Sequence, residues 1–186
     1  MKRSIKIKQH DVTDCGAACL ASVCAHYGLK VPVARIRQYA YTDQKGTNIL
    51  GMVEAAQKLG FSAKGVRGVY DALSMIPVPA IAHVVIKEVL HHFVVLYKIS
   101  KKGVVYMDPA DGEMHKATRQ EFEKMWTGIL VILEPNETFE KGNEKVSMTM
   151  KFLQLLAPHK SMMTQALFGA LIYLSLIHIS EPTRPY

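Results

Sequence analysis

The sequence predicts an α+β domain with an antiparallel sheet, because its helical patterns come first and its strand patterns follow in adjacent runs. Helix-type segments fill the first 60 residues, with Gly28 and Gly60 as stops. After Gly60 come short runs rich in Val and Ile, separated by Gly, Pro, Lys or Asp. A polar stretch and then a nearly uncharged one follow, so the domain carries an apolar appendage.

Taken in order, Cys15 to Tyr27 suits a helix, with Thr13 or Asp14 as N-cap and Gly28 as its stop. Pro32 opens a short second helix through Arg37. Asn48 to Leu59 reads as a third, with Ile49, Met52, Val53 and Ala56 on one face. The strands are Phe61–Val69, Val78–Ile86, Phe93–Ile99, Val104–Met107 and Ile129–Leu133, with Lys101-Lys102-Gly103 turning a hairpin. Thr118 followed by Glu121 is a capping-box pattern opening a helix through Met125. This core occupies residues 1–134. Residues 135–160 read as linker and membrane approach, including an amphipathic helix at Met148–Pro158. Residues 161–179 are apolar for about one bilayer crossing, the start of a first transmembrane helix that is cut short. The competing reading is a hydrophobic helix buried in a domain. Residues 180–186 fit neither, and read as a non-native tail left by cloning.

The 186 residues suit one domain with something appended. Hydrophobic residues at 49% and charged ones at 21% argue against disorder. Part of the net charge of +7 sits at Lys2, Arg3, Lys6 and Lys8, and part at Lys141, Lys145, Lys151 and Lys160 before the apolar stretch. Basic residues in that position point to a membrane neighbour. Aromatics are only 8% and do not interleave with the basic runs, so a nucleic-acid partner is not expected. Cys15, Cys19 and Cys24 are an odd count bunched on one helix, a poor disulfide framework that fits a reducing compartment. No second Cys or His pair answers them at ligand spacing, so no metal is expected. The polar start from Met1 to Asp14 is not a signal peptide.

Three segments carry candidate chemistry. In Gln9-His10-Asp11-Val12-Thr13-Asp14-Cys15-Gly16, Cys15 falls in the first turn of a helix, where free backbone N–H groups and the helix dipole favour an anion. The Gln9 amide, six residues upstream, could join the Cys15 N–H as two donors for a developing oxyanion. On its own, Cys15 equally fits a small buried apolar residue. A thiol nucleophile needs a base, and the base an orienting partner. His91-His92-Phe93-Val94-Val95-Leu96 offers histidines at a strand start, and Tyr106-Met107-Asp108-Pro109 puts an Asp at the end of the next strand. A hairpin at residues 101–103 would bring Asp108 near His92, leaving the other ring nitrogen for Cys15.

In combination these motifs resemble the N-terminal cysteine peptidase domain of bacterial ABC transporters that process and export bacteriocins and peptide pheromones with double-glycine leaders. The resemblance covers Ile7 to Leu133 and implies a papain-like fold, with a helical N-terminal lobe and an antiparallel-sheet C-terminal lobe. It implies Cys15 as nucleophile, His92 as general base, Asp108 as its orienter and Gln9 as oxyanion donor. His92 is chosen over His91 because it directly precedes Phe-Val-Val, and successive strand residues face opposite ways. Cys19 is assigned to the core, Asp14 to a helix cap and Asp11 to the surface. His10, His26, His83 and His115 show no partner pattern and are read as structural.

The resemblance also implies a substrate: a precursor peptide whose leader binds as an amphipathic helix and is cut after a Gly-Gly, Gly-Ala or Gly-Ser pair. The helix bearing Met52 and Ala56 and the strand before His92 are candidate groove walls, and equally candidate core. Further partners are the membrane and the remainder of an ABC exporter, dimeric at full length, with the peptidase on the cytoplasmic face. No cofactor is expected, since the chain holds no G-x-x-x-x-G-K-[ST] loop for ATP. Two rivals are a non-catalytic peptidase-like domain that only recruits cargo, and a thiol-redox protein using Cys15 and Cys19. The first would lack the nucleophile, and the second has a spacing one residue too long.

Overall fold

The structure, a computed structural model, describes residues 4–44, 46–86, 89–144 and 156–180. In chain order these form α1 (Cys15–Tyr27), β1 (Leu29–Lys30), α2 (Val33–Tyr39), α3 (Ile49–Lys58), β2 (Phe61–Arg67), β3 (Ala80–Ile86), β4 (Leu90–Ser100), β5 (Gly103–Asp108), β6 (Glu113–Thr118), α4 (Arg119–Met125), β7 (Trp126–Pro135), β8 (Gly142–Asn143) and α5 (Lys160–Ser180). Turns of 3₁₀ helix lie at Val12–Asp14, Tyr70–Met75 and Ala157–His159. The chain divides into two units, Met1–Lys145 and Val146–Tyr186.

Small side chains make α1 slim: Gly16, Ala17, Ala18 and Ala21 let its neighbours come close, and it is buried on every side through Cys24. It packs against β4 on one side and against α2 and α3 on the other. The main sheet has six strands in the order β2-β7-β3-β4-β5-β6, every neighbour antiparallel. One face of β4, with Phe93, Val95 and Tyr97, joins the α1 core. Its other face, with Val94 and Leu96, packs on Phe122 of α4 and on Tyr70 and Leu73. Burial on both faces explains why this strand reads as a continuous apolar run. The helix-then-sheet order is thus an α+β architecture.

Several elements differ from the sequence expectation. The sheet has a sixth strand, β6, and β7 begins at Trp126, directly after α4. β4 begins at Leu90, so His92 lies inside the strand. Residues 136–144, read from the sequence as linker, are docked on the helical lobe. Phe139 meets Phe61 at 4.7 Å and Tyr27 at 6.3 Å, ring to edge. Gly142 N–H donates to the Gly28 carbonyl and Glu144 N–H to that of Lys30, making β8 a parallel partner of β1. Gly60 has φ of 84°, and a Cβ there would lie 2.6 Å from the Phe139 Cα, so this approach requires glycine.

In the second unit, α5 is long and apolar enough to cross a membrane by length and composition. Its Leu167, Phe168, Leu171, Ile172 and Leu174 are exposed. The helix expected at Met148–Pro158 falls mostly outside the described residues, and residues 181–186 of the expected tail fall wholly outside them.

Since Phe139 closes a three-ring cluster, Phe139→Ala is expected to cost the first unit about 2–3 kcal/mol, measured by chemical denaturation. Gly60→Ala is expected to destabilise as well. A change under about 0.5 kcal/mol for both would show that the docked segment 136–144 adds little.

Candidate active site

Cys15 owes its position to a capped turn one step earlier. Asp11 takes the N-cap of the 3₁₀ turn Val12–Asp14, accepting from Val12 N–H at 2.6 Å, while Asp14 Oδ2 accepts from Asp11 N–H at 3.2 Å. Asp14, one of the two residues expected to cap α1, holds the N-cap position, but its side chain makes no capping bond to α1 and instead closes a reciprocal box with Asp11, which is exposed as expected and caps the preceding turn. Asp14 is 3% exposed, and its Oδ1 lies 2.8 Å from an Arg37 guanidinium nitrogen on α2. Gly16 sits so near Thr47 and Met52 that a Cβ would lie 2.9 Å from both side chains. The helix start is therefore wedged against the helical lobe, with Cys15 only 7% exposed.

His92 and Asp108 meet where two strands part. The β4–β5 ladder runs back only as far as the Val95–Met107 pair. Beyond it His92 Nε2 lies 2.8 Å from Asp108 Oδ1, and Ala110 N–H donates to the same carboxylate oxygen at 2.8 Å. Nδ1 is the ring nitrogen left over, and Cys15 lies close enough to the ring to act on its pKa. Burial by itself would lower the His92 pKa, but the hydrogen bonds to Asp108 and Cys15 and the charges of both raise it to about 9. Asp108 is held below the usual carboxylate range: burial opposes this, and the bonds from His92 and Ala110 overcome it.

Gln9 is pinned nearby, since its N–H donates to the Pro109 carbonyl at 2.8 Å, one residue past Asp108. Its Oε1 is buried without a hydrogen-bond partner among the described residues. The structure thus joins Cys15, His92 and Asp108 in one row and ties Gln9 to the loop beside them.

A cleft of about 500 Å³ opens next to Cys15, with Thr47, Asn48 and Ile49 on the helical side and His83, His91 and Phe93 on the sheet side. Met52 and Ala56 are fully buried core residues and form none of its wall, whereas Leu90 and His91, before His92, do line it. Cys19 is fully buried and its thiol donates to the Phe93 carbonyl at 3.3 Å. Burial pushes the Cys19 thiol up, and that of Cys24 to about 12. His115 pairs with Asp111 at 2.8 Å, and His26 stacks edgewise on Tyr27. His83, expected to have no partner pattern, has two: Thr127 Oγ1 at 2.8 Å and His91 Nδ1 at 3.3 Å. No local signal announces this, because Thr127 is 44 residues away in sequence.

The profile of the peptidase C39 family matches residues 3–138. The chain belongs to that family. Among its relatives, the lactococcin-G-processing and transport ATP-binding protein LagD of Lactococcus lactis subsp. lactis is 35% identical over 158 residues, 84% of this chain and 22% of that protein. The transport/processing ATP-binding protein ComA of Streptococcus pneumoniae is 29% identical over 168 residues, 88% of this chain and 23% of that protein. The chain thus spans about a fifth of the length of the curated relatives it matches. The peptidase domain of Streptococcus ComA superposes with a TM-score of 0.67 at 33% identity, over 72% of this chain and all of that one. A double glycine motif protease from an AMS/PCAT transporter, solved with its leader peptide, gives 0.66 at 34% identity, over 73% of this chain and 94% of that one. Membership makes the domain a cysteine peptidase of papain-like fold.

The elevated His92 pKa has a definite sign. A group raised in the folded state adds stability that is complete below its ordinary value of 6.5 and is lost as pH rises through about 9. The His92 ring, followed by NMR, is expected to titrate near 9 and to fall toward the ordinary range in Asp108→Asn. An unshifted titration in the intact protein would contradict this electrostatic arrangement.

Proposed function

We propose that the chain is a cysteine endopeptidase that removes a double-glycine-type leader from a bacteriocin or pheromone precursor during ABC-transporter-coupled export. The observation that carries this is the row Asp108–His92–Cys15, with Nε2 on the carboxylate and Cys15 close enough to the ring to raise its pKa. In this reading Cys15 Sγ, as thiolate, attacks the carbonyl carbon of the second small residue. The Gln9 amide and the Cys15 N–H donate to the oxyanion that forms. His92, as imidazolium, gives its proton to the departing amide nitrogen, so the C–N bond breaks and a thioester remains. A water then gives a proton back to His92 and attacks the thioester, releasing the leader's carboxylate and restoring the thiol pair. Asp108 keeps the ring in the tautomer and orientation both steps need.

The substrate class rests on the names of the relatives, which process lactococcin G and other exported peptides, and on the structural neighbour solved with its leader. Residues 1–144, with the docked segment 136–144 added to the core expected at 1–134, form the peptidase domain, and 161–179 the start of a transmembrane helix that tethers it. Lys160 and the other basic residues before that helix favour the cytoplasmic face. The partner is the remainder of a dimeric exporter, which supplies ATP binding.

Cys15→Ala is expected to abolish cleavage of a synthetic double-glycine leader peptide while retaining its binding. Cys19→Ala is expected to keep most activity, and Gln9→Ala to lose about 10²–10³-fold in kcat. Cleavage by Cys15→Ala at the wild-type rate would refute the assignment. It would likewise fail if the wild type bound the leader but never cut it, which is the behaviour of a recruiting domain. For the tether, chain ending at Glu144 is expected to stay soluble without detergent and the full chain to need it. Equal behaviour of the two would favour a helix that packs inside a soluble protein.

A further inference from the structure

The cleft beside Cys15 contains a second pair of imidazoles that the proposed chemistry leaves unused. His83 on β3 and His91 on β4 are diagonal neighbours across the ladder, since His83 opposes Phe93 and His91 opposes Val85. Their ring planes lie 20° apart, and His91 Nδ1 is 3.3 Å from His83 Nε2, an end-to-end contact. On its other side His83 Nδ1 is 2.8 Å from Thr127 Oγ1.

The protons in this row follow from the donors available. Thr127 Oγ1 gives its single hydrogen to the His83 carbonyl at 3.0 Å, because a carbonyl only accepts. The same oxygen must then receive from His83 Nδ1–H. Burial holds His83 below its ordinary value, so the ring stays neutral and Nε2 carries a lone pair. His91 Nδ1–H must therefore donate to it. In the neutral form of His91 the remaining nitrogen, Nε2, is then an acceptor, with no hydrogen-bond partner among the described residues.

Both histidines line the cleft that holds Cys15. A peptide with two glycine-like residues there presents mainly main-chain N–H and C=O groups, and each N–H stripped of water needs an acceptor. Among the other polar groups on the wall, Thr47 Oγ1 is engaged with Thr42 Oγ1 at 2.7 Å and Asn48 Oδ1 with Gly51 N–H at 2.7 Å, whereas the buried Thr13 Oγ1 has no partner among the described residues but, unlike a bare ring nitrogen, also carries a hydrogen to place. Gln44 is exposed on its loop with nothing among the described residues to fix its amide. His91 differs from it because a partner already sets its ring.

We infer that His91 is a substrate-binding residue whose Nε2 accepts a hydrogen bond from a main-chain N–H of the peptide strand in the cleft. His83 and Thr127 are positioning residues that fix its tautomer. The identity of the substrate rests on the peptidase reading; the geometry of the row does not.

The test uses the full chain in detergent, with a synthetic double-glycine leader peptide as probe. In nitrogen-15 spectra of the free protein at neutral pH, His83 and His91 are both expected as the Nδ1–H tautomer, and His91 is expected to shift when peptide binds. His91→Phe is expected to raise KM about tenfold with kcat nearly unchanged, and to weaken peptide binding equally in a Cys15→Ala background. His91→Gln, which offers an acceptor oxygen near the Nε2 position, is expected to recover most of the loss. Thr127→Val keeps the shape, removes the acceptor for His83, and is expected to loosen binding by a smaller factor. A fall in kcat at constant KM, no rescue by Gln, or an Nε2–H tautomer at His83 would each overturn the inference. A wild type that binds the peptide through His91 but does not cut it would instead remove the peptidase reading and leave this one standing.

Discussion

An imidazole that is 4% exposed yet holds its proton is the constraint around which the first unit is organised. Burial disfavours the charged ring, so the raised pKa of His92 depends on Asp108 and Cys15 being held close at once. Asp108 comes from the next strand, and Cys15 from a helix 77 residues upstream of His92 in the numbering. Neither partner can drift without leaving a buried charge uncompensated, which is far costlier than losing a surface pair. The relative position of helical and sheet lobes is thus set by electrostatics as well as by packing.

The chain clamps that position from several sides. One turn into α1, Cys19 Sγ donates to the Phe93 carbonyl, one residue past His92, so the helix and strand carrying the two groups are also joined by a polar contact. At the N-terminus, Ile5 N–H and carbonyl both bond the Tyr97 hydroxyl, and Gln9 N–H bonds Pro109. The leading segment therefore crosses from the start of α1 to the ends of β4 and β5. The site is built from four pieces of chain, and each contact between them is short.

Much of this was legible because local rules acted alone. Gly28 stopped α1, the third helix was read as starting at Asn48, which is its cap, and the Thr118–Glu121 box opened α4, each a contact within four residues. Cys15, His92 and Asp108 were legible as a motif, and the β4–β5 hairpin turn at residues 101–103 implied their meeting. What escaped lacked local signal. β6 is an edge strand reading Glu-Met-His-Lys-Ala-Thr, with no fully buried residue to give an apolar alternation. β1 and β8 are two residues each and exist only through pairing with one another. Asp14 does hold the N-cap position of α1, but the 3₁₀ turn before the helix turns its carboxylate to Asp11 N–H and Arg37 rather than to the helix, which composition alone does not show.

The strap formed by residues 136–144 matters to the site through α1. A 13-residue helix spans about 20 Å, and its two ends are held by different means. The Cys15 end is fixed by the Asp11 and Asp14 turn and by Arg37. The far end is fixed by the strap, whose Gly142 and Glu144 bond Gly28 and Lys30, and whose Glu144 meets Arg35 of α2 at 2.7 Å. Phe139 inserts beside Tyr27, the last residue of α1, and Phe61, the first of β2. Because α1 is buried all round, it cannot rotate or slide without disturbing both lobes, and a closely packed interior passes such displacements on rather than absorbing them. A segment that reads as a mere connector in composition therefore completes the seat of the helix that presents Cys15.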